Sequence, residues 1–140
     1  MPMPLAPDRQ LARLRARCAK HAAELAKVGF MLKGTVKQRM LPCGSPGCRC
    51  HGDPPQLHGP YWQWTSKVRG KTVSRMLREH QARRYQEWIA NWKRFDKIAE
   101  AMHELSARAD ALLRSQEQAT RTHEVRSRHR PQPRKSAARR

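Results

Sequence analysis

The sequence predicts an α+β fold: a small antiparallel three-stranded sheet with a Cys/His loop, packed on an N-terminal helix and a long C-terminal helix. Three observations predict it. Apolar residues recur at helical spacing towards both ends of the chain. Alternating segments lie between them. Three cysteines and a histidine gather in one Gly/Pro-rich stretch, Cys43-Gly-Ser-Pro-Gly-Cys48-Arg-Cys50 followed by His58-Gly-Pro-Tyr61. A chain of 140 residues holds one domain with extensions. Its hydrophobic share, 38%, is below that of ordinary globular domains, so part of it is expected to stay outside the core. The expected division is a flexible leader (1–7), one domain (8–119) and a disordered basic tail (120–140).

The first helix is expected to start at Asp8, a good N-cap residue. Leu11, Leu14, Cys18, His21, Leu25 and Val28 then lie on one face, and Gly29 stops the helix. Residues 34–40 alternate, with Val36, Gln38 and Met40 on one side and Thr35, Lys37 and Arg39 on the other, which predicts a strand. A loop follows over residues 42–60. Residues 61–68 and 71–77 predict a hairpin about Arg69-Gly70. A two-residue turn pairs Trp64 with Arg75 and Trp62 with Leu77. It places an apolar face towards a helix and leaves Tyr61, Gln63, Thr65, Lys67, Thr72, Ser74 and Arg78 on a polar, basic face. Arg75 beside Trp64 suits a cation–π contact. From Glu79 the period becomes helical, with Tyr85, Trp88, Trp92, Phe95, Ala99, Met102, Ala109 and Leu113 on one stripe and Leu105 and Leu112 beside it. No Gly or Pro interrupts residues 79–119.

The formal net charge is +19, unevenly spread. Residues 1–40, 41–78 and 120–140 are strongly basic, whereas residues 79–119 balance seven acids with seven bases. Self-repulsion of this size calls for a polyanion, and nucleic acid is the first choice over an anionic membrane surface. The N-terminus shows no charged segment leading into an apolar run, so no signal peptide and no membrane span are expected. The resulting expectation is a cytoplasmic protein with reduced thiols, which favours metal over disulfides.

Thiolates and imidazole are the preferred ligands of structural zinc. Gly44, Pro46 and Gly47 supply the turns that would bring Cys43, Cys48 and Cys50 around one ion. His58 is the expected fourth ligand and His51 the alternate. The competing reading is a tight loop with packed, reduced thiols. Cys18 and His21, on a helical face, read as core residues. A zinc-deaminase reading fails: His21-Ala-Ala-Glu24 has the wrong His–Glu spacing and lies on a continuous helix pattern. The chain lacks a phosphate loop, a nucleophile elbow and an acidic pair outside the long helix, so no enzyme is expected.

These motifs, with Gly34-Thr35, the Lys67-Val-Arg-Gly-Lys-Thr72 turn and Ser74-Arg75, resemble a family of short prokaryotic proteins of unknown function. Its members typically read Cys-Gly-Lys-Pro-Gly-Cys-Arg-Cys, then His-Gly-Pro-Tyr, then a basic hairpin and a long helix. The resemblance covers roughly residues 30–105. Ser45 departs from the usual Lys, and Trp62 and Trp64 stand in a commonly Tyr-rich strand. The resemblance implies a shared fold and a mobile-element context, and it strengthens Cys43, Cys48, Cys50 and His58 as ligands. It supplies no activity.

The leading functional expectation is a DNA-binding module with a structural zinc loop. Lys37, Arg39, Lys67, Arg69, Lys71 and Arg78 would meet phosphates, and Gln63, Thr65 and Thr72 would reach base edges. The alternatives are an adaptor acting through the long helix, as a homodimer or with a recombinase or transposase, and an RNA-binding protein.

Overall fold

The computed structural model describes residues 6–129. The elements run in the expected order: α1 (Pro7–Leu25), β1 (Thr35–Leu41), a short 3-10 turn (Arg49–His51), β2 (His58–Val68), β3 (Lys71–Leu77) and α2 (Glu79–Arg128). The strands form one antiparallel sheet in the order β1-β2-β3. The fold class is the one the sequence predicts.

The chain forms two compact units. One spans Ala22–Glu100 and holds the sheet, the Cys/His loop and the first part of α2. The other joins α1 up to His21 with α2 from Ala101 onward. In the second unit, Leu11, Leu14, Cys18 and His21 are half-buried at steps of three and four, and Leu105 is buried on α2.

In the first unit the core is small: Trp64 and Leu77 from the sheet meet Ala82, Tyr85 and Ile89 from α2, with Leu32, Val36, Trp62 and Val73 packed around them. The hairpin explains this arrangement. Arg69 and Gly70 both have positive φ, 52° and 78°, as a two-residue turn that matches the strand twist requires. That turn fixes the register Val68↔Lys71, Trp64↔Arg75 and Trp62↔Leu77, so both tryptophans lie on the face towards the core. Trp64 meets Tyr85 edge-on at 5.7 Å, and its Nε1 donates to Lys33 O at 3.0 Å. Arg75 lies over the Trp64 ring at 5.4 Å and donates to the Tyr85 hydroxyl.

Several element boundaries differ from the sequence expectation. Strand β2 starts at His58 rather than Tyr61, because Leu41 pairs with His58 across an irregularity that begins after Arg39. Pro60, with no amide hydrogen, falls within this bulge, where no ladder bond is missed. Helix α2 also runs on to Arg128, past the boundary expected at residue 119. Residues 120–128 contain neither Gly nor Pro, and the next helix breaker in the sequence is Pro131. Of the expected disordered tail, residues 130–140 lie outside the described residues, as do residues 1–5 of the expected leader. Helix α2 begins with half of a capping box: the Gln81 side chain accepts from Arg78 N at 2.8 Å, and Glu79 pairs with Arg83 at 2.8 Å.

The stripe on α2 is rotated relative to the expected one. Ala82, Tyr85 and Ile89 face the sheet, while Trp88, Trp92 and Phe95 are only half-buried. The chain before β1 covers that shoulder. Phe30 stacks on Trp88 at 5.2 Å and Lys33 Nζ sits 4.4 Å over Trp92. Leu32 N donates to Trp88 O at 3.0 Å, and Asn91 Nδ2 donates to Phe30 O at 2.8 Å.

Candidate functional site

The pairing of Leu41 with His58 brings the end of β1 and the start of β2 together. Cys43 follows two residues after Leu41, so it and His58 are delivered to the same end of the sheet. The chain between them turns back twice. Cys48 N donates to Ser45 O at 3.1 Å, and the Arg49–His51 turn is closed by His51 N donating to Cys48 O at 3.0 Å. This places Cys48 and Cys50 opposite the first pair. Gly59 allows the crossing: its φ is +130°, and a Cβ there would lie 2.8 Å from Arg39 O.

The ligand atoms of Cys43, Cys48, Cys50 and His58 all lie within 4.8 Å of one another. Cys43 Sγ is 3.5 Å from Cys50 Sγ, and Cys48 Sγ is 3.2 Å from His58 Nε2. A tetrahedral ion with metal–sulfur bonds of about 2.3 Å separates its ligand atoms by about 3.8 Å. Both of these spacings fall a few tenths of an ångström below that value and no pair among the four exceeds 4.8 Å, and all four cysteines of the chain are free thiols. These four residues fit a metal ion in a closed site, with no side chain left over. His51 is otherwise engaged, its Nε2 donating to Cys43 O at 2.7 Å, so His58 is the histidine of the cluster. Cys18 lies on α1 and is not one of the four.

The cluster also polarises its thiols. Cys43 is pulled down from 9.0 to about 6, first by the backbone hydrogen bond from Ser45 and then by the Cys50 side chain. Cys50 is held above its ordinary value. The Cys43 amide, which donates to its Sγ at 3.3 Å, acts against this, but burial and the neighbouring Cys43 and Cys48 thiols outweigh it. An easily ionised Cys43 thiol beside a reluctant Cys50 thiol is compatible with a ligand cluster whose charge no cation compensates.

The second feature is the sheet face turned away from the core. The register puts Thr35, Lys37 and Arg39 of β1 beside Tyr61, Gln63, Thr65 and Lys67 of β2 and Thr72, Ser74 and Met76 of β3. None of the three strands contains an acid. Lys37 lies opposite Gln63, and Arg39 Nη1 donates to Gln63 Oε1 at 3.0 Å. Thr65 and Ser74 hydroxyls face each other at 3.4 Å. A shallow depression on this sheet is lined by Thr35, Lys37, Gln38, Arg39, Gln63 and Thr65.

Of the residues expected to contact nucleic acid, Lys37, Arg39, Gln63, Thr65, Lys67 and Thr72 therefore share one face. Arg69 sits at the hairpin tip. Lys71, paired with Val68, belongs to the opposite face, and Arg78 caps α2. Sequence reasoning missed Met76, which is exposed on the polar face beside the equally exposed Tyr61. Period-2 alternation from the hairpin register would have placed it there.

A family model described as "Domain of unknown function (DUF6788)" matches residues 8–87. The chain belongs to this family. The match takes in nearly all of α1, the whole sheet, the Cys/His loop and the first turns of α2, so it starts earlier and ends earlier than the motif resemblance over roughly residues 30–105. No curated protein and no solved structure matches the chain. Among the described residues, no helix is long and apolar enough to cross a membrane.

Proposed function

We propose that this protein is a small nucleic-acid-binding module, with duplex DNA as its ligand and a zinc ion closing the Cys/His loop. The observation that carries the reading is the polar sheet face. Lys37, Arg39 and Lys67 share it with hydroxyl and amide groups, no acid lies in any of the three strands, and the opposite face is occupied by the core. Cations gathered on a rigid, half-covered sheet are suited to a phosphate backbone, where their contacts release counterions. The stacking expected of an RNA binder finds less support, because the ring of Trp64 is buried and Trp62 lies on the same covered face.

Zinc is the metal favoured by three sulfur donors and one imidazole nitrogen in reducing, cytoplasmic surroundings. A site with four protein ligands has no open position for substrate, so its role in this reading is structural, and the reading is of a binding protein rather than an enzyme. A second reading, an adaptor contact through α2, draws on Leu113 and Val125, which are 39% and 57% exposed on its distal part. A strict monomer by light scattering at high concentration would remove its self-association form.

The test of the main reading is fluorescence anisotropy with duplex DNA across a salt series. The expected result is an affinity well above that of a scrambled peptide of equal charge, at every salt concentration. Equal affinities would refute it.

A further inference from the structure

The lining of the depression on the polar face includes one hydrogen-bonded side-chain pair, Arg39 and Gln63. Arginine carries N–H donors and no acceptor. The group facing Arg39 Nη1 at 3.0 Å must therefore be the amide oxygen of Gln63, whichever way round the amide is otherwise drawn. The consequence is chemical. A free glutamine reads adenine because its oxygen accepts from N6 while its NH2 donates to N7. Here the oxygen is held against a guanidinium, and the pair offers the Gln63 NH2 and the remaining Arg39 N–H groups. Lys37, directly opposite Gln63, adds three more donors and no acceptor. The hydroxyls of Thr35 and Thr65 can serve either way.

A ligand edge rich in acceptors suits this arrangement, and an edge that itself donates does not. Among the base edges in the major groove, guanine alone presents two adjacent acceptors, O6 and N7. Adenine places a donor at the corresponding position. We infer that the Arg39–Gln63 pair is the base-reading element of the sheet and selects guanine over adenine in the major groove. The inference rests on the duplex-DNA reading above and adds the base that the site takes. The same hydrogen bond holds two long side chains in place, so less rotamer freedom is lost when a base pair arrives.

The experiment is selection from a random-sequence duplex library with the full-length protein, followed by anisotropy on the selected site. The expected result is an enriched guanine. Replacing it by 7-deazaguanine, which removes only the N7 acceptor, should weaken binding about tenfold. Arg39→Ala should release the Gln63 oxygen and move the preference at that position from guanine to adenine. Arg39 is exposed, so this variant keeps the core. Duplex binding without base preference, adenine preferred by the unmodified protein, or indifference to 7-deazaguanine would each overturn the inference while leaving DNA binding in place. No binding to any duplex would overturn both. The 7-deazaguanine result uses the unmodified chain and decides the matter even if the variant binds too weakly to select.

Discussion

Cys50→Ser should empty the Cys/His loop of metal and open it while the sheet core stays folded. Cys50 is the one buried side chain among residues 42–57, at 2% exposure. Its Sγ accepts from Cys43 N at 3.3 Å and lies 3.5 Å from Cys43 Sγ, so it is at once a ligand and the loop's internal anchor. Serine places a harder atom on a shorter bond and does not ionise near neutral pH. Structural zinc sites release roughly 10–16 kcal/mol on binding; shared over four ligands, that is about 3 kcal/mol each, or two orders of magnitude in affinity. The loss should stay local. The core of Trp64, Leu77, Ala82, Tyr85 and Ile89 includes no residue of the loop.

The assay is metal-to-protein stoichiometry by elemental analysis, with chelator competition, on the unmodified chain and on the Cys50→Ser, His58→Ala and His51→Ala variants. Hydrogen exchange over residues 42–58 should rise in the first two variants, while the melting transition of the hairpin and α2 persists. His51→Ala should keep the metal, because its ring only donates to Cys43 O. Cys50→Ser retaining full metal at unchanged affinity, or the unmodified protein holding none when metal is supplied, would refute the reasoning.

Further outcomes follow from the same geometry. Lys67→Ala, on the polar face, should weaken duplex binding and reduce the magnitude of the salt slope by about one, whereas Lys71→Ala, at the same end of the hairpin but on the other face, should leave the slope unchanged; equal effects in a salt titration would contradict the register's role. Gly34→Ala should be severely destabilising, since φ is +125° and the new Cβ would lie 2.5 Å from Trp64 Nε1 and 2.6 Å from Thr65 O. Gly70→Ala meets nothing within 4 Å and should cost only the turn strain, about 1 kcal/mol, so urea unfolding should separate the two variants clearly. Tyr85→Phe removes the acceptor for Arg75 and should cost about 1 kcal/mol in the same assay. In the metal-free protein the lowered Cys43 pKa means that the folded loop prefers the thiolate: its contribution is present in full above pH 9 and is lost as pH falls through about 6. The raised Cys50 value has the opposite sign, with a contribution present below 9 and lost at higher pH. Loop protection in hydrogen exchange should therefore rise from pH 6 towards pH 9; a flat profile would count against the shifts.

The hairpin was legible because two local signals agreed. Trp62 and Trp64 alternate with Gln63 and Thr65, and Arg69-Gly70 permits a two-residue turn, so the pairing of Trp64 with Arg75 followed. The half-buried face of α1 was legible for a similar reason, being set by period alone. The start of β2 was not, because Gly59-Pro60 reads as a loop until the bulge opposite gives the proline a place without a ladder bond. His58, which the sequence already favours over His51, is the histidine of the cluster, and the His51 ring is engaged by the Cys43 carbonyl. On α2 the large rings of Trp88 and Trp92 drew the expected stripe, yet Ile89 is the residue that reaches the core. The cause is non-local: the Phe30–Lys33 segment covers the tryptophans' shoulder. At the far end of α2 the basic composition predicts disorder, yet residues 120–128 hold no helix breaker and the helix continues to Arg128.

The Cys/His cluster and the polar face are joined by two turns of covalent logic. Arg39 pairs with Tyr61, Leu41 pairs with His58, and the bulge lies between these pairs. Cys43 and His58 continue the same two strands into the cluster. An ion held by both would fix the separation of the strands immediately beside Arg39, where a small core reaches least: Tyr61 and Met40 are exposed there, and Gly59 already runs close to Arg39 O. The loop itself adds little charge to the face, with Arg49 and Asp53 offsetting each other. Its contribution to nucleic-acid binding in the proposed reading is therefore positional. With an ion bound, it would set where Arg39 and Gln63 stand rather than add a contact, and a protein with so few buried side chains among its described residues would gain that rigidity from four ligands more readily than from a larger core.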